Sequence, residues 1–120
     1  MQAHLPEPAG TDDPGALFSA YSDCFVQALN AKPGRVRIQI VPVRANHTYV
    51  GGKTPARLCI LTVFLLEGRT AAAKAELIEA LAKVTMAFTS TTEDEVRVVI
   101  HDIAREDIGF GTRTAAALGF

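Results

Sequence analysis

The spacing of apolar residues predicts four strands, one of which lies in the middle of a sheet. Residues 58–66 are apolar at almost every position, so a strand here offers two faces for burial. Residues 35–43 and 95–103 instead alternate valine and isoleucine with polar residues, which is typical of a strand with one buried face. A short strand is expected at residues 1–5, followed by an irregular stretch at 6–10. The segment 58–66 is therefore the predicted centre of the fold.

Two amphipathic helices are predicted between these strands. Asp13 is expected to cap the first helix and Pro14 to open it, because the fixed φ of proline suits the first helical position. This helix is expected to end before the break at 32–34. Thr70 is the expected N-cap of the second helix, which runs from about residue 71 to residue 88. The predicted core faces are Leu17, Phe18, Tyr21, Phe25, Ala28 and Leu29 on the first helix, and Leu77, Ile78, Leu81, Val84 and Phe88 on the second.

The predicted order is strand, helix, strand, strand, helix, strand, and the second half of the chain repeats the first without a gap. Identical residues recur at equivalent places, among them Leu5 and Leu65, Leu17 and Leu77, Val36 and Val96, Arg37 and Arg97, and Gly51 and Gly111. The simplest interpretation of this internal repeat is a single domain of two β-α-β units, about residues 1–57 and 58–120, related by a pseudo-twofold axis. Arg69 has no twin, because Ala9 stands at its place in the first unit.

Two arrangements of the strands satisfy this order. In one, each unit is a right-handed β-α-β with adjacent parallel strands, which gives a four-stranded sheet with both helices on one face. In the other, the strands interleave as in the ferredoxin-like split β-α-β fold, which is commonly a ligand-sensing or interaction module. Periodicity does not choose between them.

Composition narrows the class of protein. The 120 residues are 48% hydrophobic with a mean hydropathy of +0.18, which is enough for one core. A formal net charge of -1 with scattered basic residues does not favour nucleic acid or a membrane surface as partner. Glu67 and Arg69 interrupt the longest apolar run, and Met1–Gly10 lacks the pattern of a signal peptide, so we expect a cytoplasmic protein. Cys24 and Cys59 belong to no CxxC motif or histidine cluster, so we expect buried thiols and neither metal nor cofactor.

The segment Cys59–Thr70 and the residues after it resemble the 4-oxalocrotonate tautomerase pattern. An apolar strand ends in Glu-Gly-Arg-Thr, and the helix AAAKAELIEALAKVT and the stretch EVRVVIHDIAREDIGFG follow it. The first half, with VRIQIVPV and NHTYVGG, resembles the fused, double-length members of the tautomerase superfamily, including the cis-3-chloroacrylic acid dehalogenase group. The resemblance implies an α+β tautomerase fold, in which two β-α-β units form a four-stranded mixed sheet with two helices on one face. It also implies a homotrimer.

The same resemblance implies a reaction and the residues for it. In this family the amine of an amino-terminal proline moves a proton between the carbon and oxygen ends of an enol, while arginines hold the substrate carboxylate. By matching position, Arg69 and Arg97 are the candidates for the carboxylate and the oxyanion, and Asp102 for handling a proton or water. Ile108 and Phe110 are the candidates for a pocket wall. The implied substrate is a small 2-hydroxy-dienoate or α-keto carboxylate.

The chain departs from the family pattern at its start. Gln2 follows Met1 where the family has proline, and Cys59 stands at the proline position of the second unit. Three expectations follow: the natural chain begins upstream with a proline, the amine of Met1 takes over, or the base has been lost. An α-amino group titrates near 8 even when unperturbed, so Met1 is the catalytic candidate in the chain as written.

Three functions stay open at this point. The first is a keto-enol tautomerase. The second is a hydratase, dehalogenase or decarboxylase of small unsaturated acids, which needs a water activated by Asp102; Leu66, where the dehalogenase-like members carry an arginine, argues against it. The third is a non-catalytic binding subunit, in which the candidate arginines and Asp102 form structural ion pairs. Arg37 is expected at a trimer interface and His101 in a structural role.

Overall fold

A four-stranded mixed sheet forms the centre of the molecule. The computed structural model describes residues 1–7 and 13–120. Its strands are β1 (Gln2–Pro6), β2 (Gln39–Val43), β3 (Cys59–Leu66) and β4 (Val96–Ile103), in the spatial order β2-β1-β3-β4. β1 is parallel to β2, β3 is parallel to β4, and β1 and β3 pair antiparallel in the middle. Each unit keeps its own two strands adjacent, which confirms the first of the two arrangements and rules out the interleaved one.

Each strand begins one or more residues later than predicted, and two of the differences involve a proline. β2 begins at Gln39 rather than at residue 35, because residues 33–35 form a 3₁₀ turn that starts at a proline. Pro6 belongs to β1, so the expectation of irregular structure from residue 6 was wrong there. β3 pairs only with residues 2–4 of β1. Proline has no N–H, but no hydrogen bond of the sheet is lost at Pro6, because β3 does not pair with that residue. Residues 8–10 of the predicted irregular stretch lie outside the described part.

The two helices are α1 (Gly15–Leu29) and α2 (Ala71–Thr89). Thr70 caps α2 as predicted, since its hydroxyl accepts a hydrogen bond of 3.1 Å from the N–H of Ala73. The predicted cap of α1 was wrong by one position, because Pro14 stands at the N-cap. Oδ1 of Asp13 nevertheless accepts a hydrogen bond of 3.4 Å from the N–H of Gly15, the first residue of the helix. Within the described residues, neither these helices nor any other is both long and apolar enough to cross a membrane.

The helices cover one face of the sheet only. Along β3, Cys59, Leu61 and Val63 are buried in the core, whereas Ile60 and Phe64 are 37% and 49% exposed. β3 is central, as predicted, but one chain covers only one of its two apolar faces. The apolar pattern of the other face therefore points to a cover from outside the chain.

The buried face of α2 is turned relative to the prediction. Leu77 and Leu81 are buried as expected, but Ile78 and Phe88 are each 39% exposed, and Thr85 and Thr89 take the core positions. On α1, Cys24 is buried along with most of the predicted residues. Both cysteines are free and buried, as the sequence indicated.

The internal repeat holds in three dimensions. The 3₁₀ turns at 33–35 and 45–47 recur at 93–95 and 105–107, and the left-handed residue after each helix is Asn30 or Ser90. The bridge between Val50 and Lys53 recurs as the hairpin of β5 (Gly109–Phe110) and β6 (Arg113–Thr114), in which Phe110 pairs with Arg113. The units therefore share their turns as well as their strands.

The topology gives the sheet two distinct ends. β1 and β2 run antiparallel to β3 and β4, so the first pair starts at the end of the sheet toward which the second pair runs. Gln2 lies opposite Thr62, and β3 continues from there to Leu66. We call the end that holds the start of β1 the amine end, and the end that holds the start of β3 the Cys59 end.

Candidate active site

The amine end carries the α-amino group of Met1. The residue is half-buried, and its amine donates a hydrogen bond of 2.6 Å to the carbonyl oxygen of Arg37. Burial lowers the pKa of this amine from its ordinary value of 8.0, because a buried ammonium group loses hydration. A larger fraction is therefore neutral near pH 7 than for a solvated terminus, and the neutral amine has a lone pair that accepts a proton.

Arg37 and Arg97 hold the same conformation in their two units. Nη1 of Arg37 donates to the carbonyls of Gly34 at 2.7 Å and Val36 at 3.2 Å. Nη1 of Arg97 donates to the equivalent carbonyls of the second unit, at 3.1 and 3.0 Å. Both side chains are exposed. Arg37 lies beside the amine of Met1, whereas Arg97 lies at the Cys59 end.

Arg69 lies at the amine end, between the end of β3 and the start of α2. Gly68 makes the turn before it with a φ of 113°, a conformation that glycine alone adopts readily. Nη1 of Arg69 donates a hydrogen bond of 2.5 Å to the carbonyl of Leu29, the last residue of α1. The partial negative charge at a helix C-terminus favours a guanidinium there. The exposed side chain keeps its other N–H donors for a ligand, because no further acceptor contacts it among the described residues.

A single chain does not bring Arg69 and Arg97 together. Ile60 pairs with Arg97 and Leu66 pairs with Ile103, so the two arginines flank opposite ends of the β3–β4 pair. The distance from Ile60 to Leu66 along the strand is about 20 Å, at about 3.3 Å per residue. Any ligand that contacts both guanidinium groups must therefore take one of them from another chain.

The other predicted site residues also lie at the amine end. Asp102, near the end of β4, forms an ion pair with Nζ of Lys74 on α2. Ile108 is half-buried, and its carbonyl accepts a hydrogen bond of 2.9 Å from the N–H of Ala115. Phe110 lies in β5 and is 45% exposed. The carboxylate of Asp102 thus has a structural partner, while Phe110 presents an open ring.

Sequence reasoning missed three residues of this region, namely Arg35, Arg105 and Phe120. Nε of Arg105 donates a hydrogen bond of 2.5 Å to the main-chain oxygen of Phe120, and its Nη1 lies 3.4 Å from the carbonyl of Glu67. The guanidinium of Arg35 lies 4.3 Å above the ring of Phe120. A comparison of the repeats contains the signal, because Arg35 corresponds to Glu95 and Arg105 to Ala45 within an otherwise repeated frame.

The arginines at the amine end have no aspartate or glutamate partner among the described residues. The side-chain ion pairs of the described residues are Lys74–Asp102 and Lys83–Glu79, so no arginine there is paired with an aspartate or glutamate. Glu106 and Asp107 follow β4 at this end and are exposed, but they do not pair with these guanidinium groups. Guanidinium groups without a carboxylate partner suit the binding of a small carboxylate.

Cys59 belongs to the core rather than to a site. It is fully buried, and its Sγ lies 3.8 Å from the hydroxyl oxygens of Thr89 and Thr91. The described residues hold no group of three or more histidine, cysteine, aspartate and glutamate side chains arranged to bind a metal. A groove of about 230 Å³ lies between α1 and the start of β2, lined by Phe18, Ser22, Val36 and Ile38, and none of the predicted site residues lines it.

Comparisons with known proteins point to one family. The family model described as tautomerase enzyme matches residues 60–117. The structure described as Q0 fused 4-OT wild type symmetric trimer is 32% identical, with a TM-score of 0.91 over 99% of this chain and 98% of that chain. Pt0534 inactivated by 2-oxo-3-pentynoate is 27% identical, with a TM-score of 0.91 over the same shares.

A third structure supports the fold alone. N1, described as a member of the cis-3-chloroacrylic acid dehalogenase family, is 15% identical, with a TM-score of 0.78 over 95% of this chain and 82% of that chain. Comparison with curated proteins gave no match.

Proposed function

The chain belongs to the tautomerase superfamily, and from that membership we propose that it is a keto-enol tautomerase acting on a small 2-hydroxy-dienoate or α-keto carboxylate. The observation that carries the proposal is the half-buried amine of Met1 at a sheet end whose arginines have no aspartate or glutamate partner among the described residues. The reaction requires a group that moves a proton and a cation that holds the substrate carboxylate.

In the proposed reaction the amine of Met1 acts first as a base and then as an acid. Its lone pair takes the proton of the substrate 2-hydroxyl group, and the electron pair left on oxygen forms the C2 carbonyl. The double bond shifts toward a conjugated carbon, which takes the proton back from the ammonium group. No proton is gained or lost overall. The lowered pKa favours this cycle, because a base works best when its pKa lies near the working pH.

Arginines orient the substrate in this scheme. Arg69 binds the C1 carboxylate, and its hydrogen bond to the carbonyl of Leu29 fixes the guanidinium in place. Arg97 of a second copy stabilises the negative charge that develops on the enolate oxygen. The separation of the two arginines within one chain is the reason for assigning Arg97 to a neighbour.

We propose that the chain forms a homotrimer that completes these sites. The sheet face opposite the helices exposes Val41, Ile60, Phe64 and Val99, each by 37% to 49%. A second copy placed on this face buries the apolar side of β3 that one chain leaves open. The similar fused 4-OT protein is described as a symmetric trimer, which supports this assembly.

The state of Asp102 supports proton transfer rather than hydration. A hydratase needs a carboxylate that is available to activate water, whereas Asp102 is engaged by Lys74. Leu66 stands where the dehalogenase-like members carry an arginine, so this position supplies no cation either. We therefore assign no water-activating residue.

The test is ketonisation of 2-hydroxymuconate and phenylenolpyruvate, followed by ultraviolet absorbance. The proposal expects turnover by residues 1–120 and a loss of about 10²- to 10³-fold in kcat/KM for Arg69→Ala. Arg44→Ala, an exposed arginine after β2, is the matched control and should retain full activity. Turnover only after a proline amine is restored at the start would assign the base to a proline instead of Met1. Absence of turnover in every variant would overturn the tautomerase proposal.

A further inference from the structure

Two phenylalanines at the amine end form a small aromatic surface. The rings of Phe110 and Phe120 lie 5.1 Å apart between centroids, with an interplanar angle of 57°. This tilted contact is within the range that aromatic pairs prefer. We call the two rings the aromatic wall. Phe110 is 45% exposed and Phe120 is half-buried, so the wall is accessible.

Two arginines hold the wall in place. The guanidinium of Arg35 lies 4.3 Å from the centroid of Phe120, a favourable cation–π contact. Nε of Arg105 donates a hydrogen bond of 2.5 Å to the main-chain oxygen of the same residue. The side chain and the backbone of Phe120 are thus each fixed by a different cation. Neither arginine is paired with an aspartate or glutamate among the described residues.

The same two arginines connect the wall to the proposed chemistry. Arg35 lies close in sequence to Arg37, whose carbonyl accepts the hydrogen bond from the amine of Met1. Nη1 of Arg105 lies 3.4 Å from the carbonyl of Glu67, at the turn that leads into Arg69. Arg35 and Arg105 therefore connect the aromatic wall to the two segments that carry the proposed base and the proposed carboxylate-binding arginine.

The Cys59 end of the sheet provides an internal control. At the positions related by the internal repeat, Arg35 corresponds to Glu95, Arg105 to Ala45 and Phe110 to Val50. Phe120 has no counterpart in the first unit, because residue 60 already belongs to β3. The surrounding 3₁₀ turns and the folded-back arginines are nevertheless repeated there. The fold thus forms this end without an aromatic wall and its two arginines, so the wall at the amine end is a local specialisation.

We propose that the aromatic wall determines substrate specificity, selecting a flat aryl or polyene group at the end of the substrate remote from its carboxylate. This inference rests on the proposed function of the same site. A flat π-system gains edge-to-face or offset contact with Phe110 and Phe120, whereas a second carboxylate at that place loses hydration against the rings. Arg35 and Arg105 are positioning residues that act through Phe120.

The test compares phenylenolpyruvate with the dicarboxylate 2-hydroxymuconate. Phe120→Leu keeps an apolar side chain of similar size, so the fold is retained while the π-face is lost. We expect kcat/KM for phenylenolpyruvate to fall about fivefold to tenfold, chiefly through KM, and that for 2-hydroxymuconate to change less than about twofold. Phe88→Leu, an equally open ring on α2, is the matched control and should change neither. Equal losses for both substrates, or no loss, would overturn the inference.

Arg105 provides a second and independent measurement. Arg105→Gln should raise KM for phenylenolpyruvate as Phe120→Leu does. Arg105→Lys, which retains a donor for the main-chain oxygen of Phe120, should bring KM most of the way back to its original value. A merely structural role would lower kcat for both substrates together.

Binding separates failure of the wall from failure of the proposed function. If neither substrate is turned over, calorimetric titration with cinnamate and with trans,trans-muconate replaces the kinetic assay. Tighter binding of cinnamate that is lost in Phe120→Leu would uphold the wall while the tautomerase proposal fails. Equal binding of the two acids, or binding of neither, would overturn the wall itself.

Discussion

The hydroxyl oxygens of Tyr21 and Thr85 lie 2.6 Å apart in the core and join α1 to α2 across the two units. Thr85 also donates its hydroxyl proton to the carbonyl of Leu81 at 2.8 Å. A threonine hydroxyl has one proton, so Tyr21 is the donor in the contact between the two side chains. Both side chains are fully buried. Tyr21 therefore needs Thr85 as its acceptor, whereas Thr85 keeps an acceptor of its own in Leu81.

This difference predicts which of two substitutions destabilises the fold more. Tyr21→Phe removes a donor but leaves Thr85 bonded to Leu81, so we expect a loss of about 1 kcal/mol in the free energy of unfolding. Thr85→Val leaves the buried hydroxyl of Tyr21 without its acceptor, and we expect a loss of about 1–3 kcal/mol. Urea unfolding at one fixed protein concentration measures both. A greater loss for Tyr21→Phe would contradict the donor assignment.

Tyr21 also predicts how stability changes at alkaline pH. Burial is the largest cause that raises the pKa of Tyr21 from 10.0 to about 12. The folded state binds this proton more tightly than the unfolded state, so the stabilisation is fully present below pH 10 and is lost as pH rises from 10 to 12. The whole effect is at most about 3 kcal/mol. Tyr21→Phe should reduce the dependence of the free energy of unfolding on pH between 10 and 12. Tyr49→Phe, at a side chain that is 71% exposed, should leave it unchanged.

The fold was largely readable from the sequence because the internal repeat is carried by many positions at once. The exception on α2 has a physical reason. Thr85 and Thr89 occupy core positions since each hydroxyl donates to the carbonyl one turn earlier, at 2.8 and 2.6 Å. A threonine whose hydroxyl is satisfied in this way is buried as readily as an apolar residue. Hydrophobicity alone therefore predicts Ile78 and Phe88 in the core, whereas the structure buries Thr85 and Thr89 there instead.

The candidate site was less predictable, because its residues meet through contacts that no local pattern encodes. Arg69 was readable from the Glu-Gly-Arg-Thr segment, since a turn and a helix start follow a buried strand there. Arg35 and Arg105 were not predicted, because what marks them is their contact with Phe120. Phe120 lies in a C-terminal segment whose hydrophobic residues show neither helix nor strand periodicity. The choice between parallel and interleaved strands likewise depends on pairing between distant segments.

The amine of Met1 predicts the pH dependence of the proposed reaction. The base must be unprotonated, so kcat/KM should fall as pH drops through the pKa of the amine, which burial holds below 8.0. The measurement is kcat/KM for 2-hydroxymuconate against pH. His101→Gln, which leaves the amine of Met1 unchanged, is the control and should leave the inflection in place. Carbamylation of the amine should abolish turnover, and an inflection that survives carbamylation would exclude Met1 as the base.

Arg69 and Arg97 flank opposite ends of a β3 segment about 20 Å long, which predicts that inactive chains complement each other. If each site takes its amine and Arg69 from one chain and Arg97 from the next, Arg69→Ala and Arg97→Ala are each inactive alone. An equal mixture, unfolded and refolded together, places an intact Arg69 beside an intact Arg97 at about one quarter of the sites of a cyclic trimer. We therefore expect ketonisation to return to about one quarter of the unmodified rate. Mixing Arg69→Ala with the double variant Arg69→Ala/Arg97→Ala creates no intact site and is the control. If the equal mixture is only as active as the sum of the two single variants, the prediction is contradicted. That result would show that Arg69 of one chain and Arg97 of another do not act in the same site.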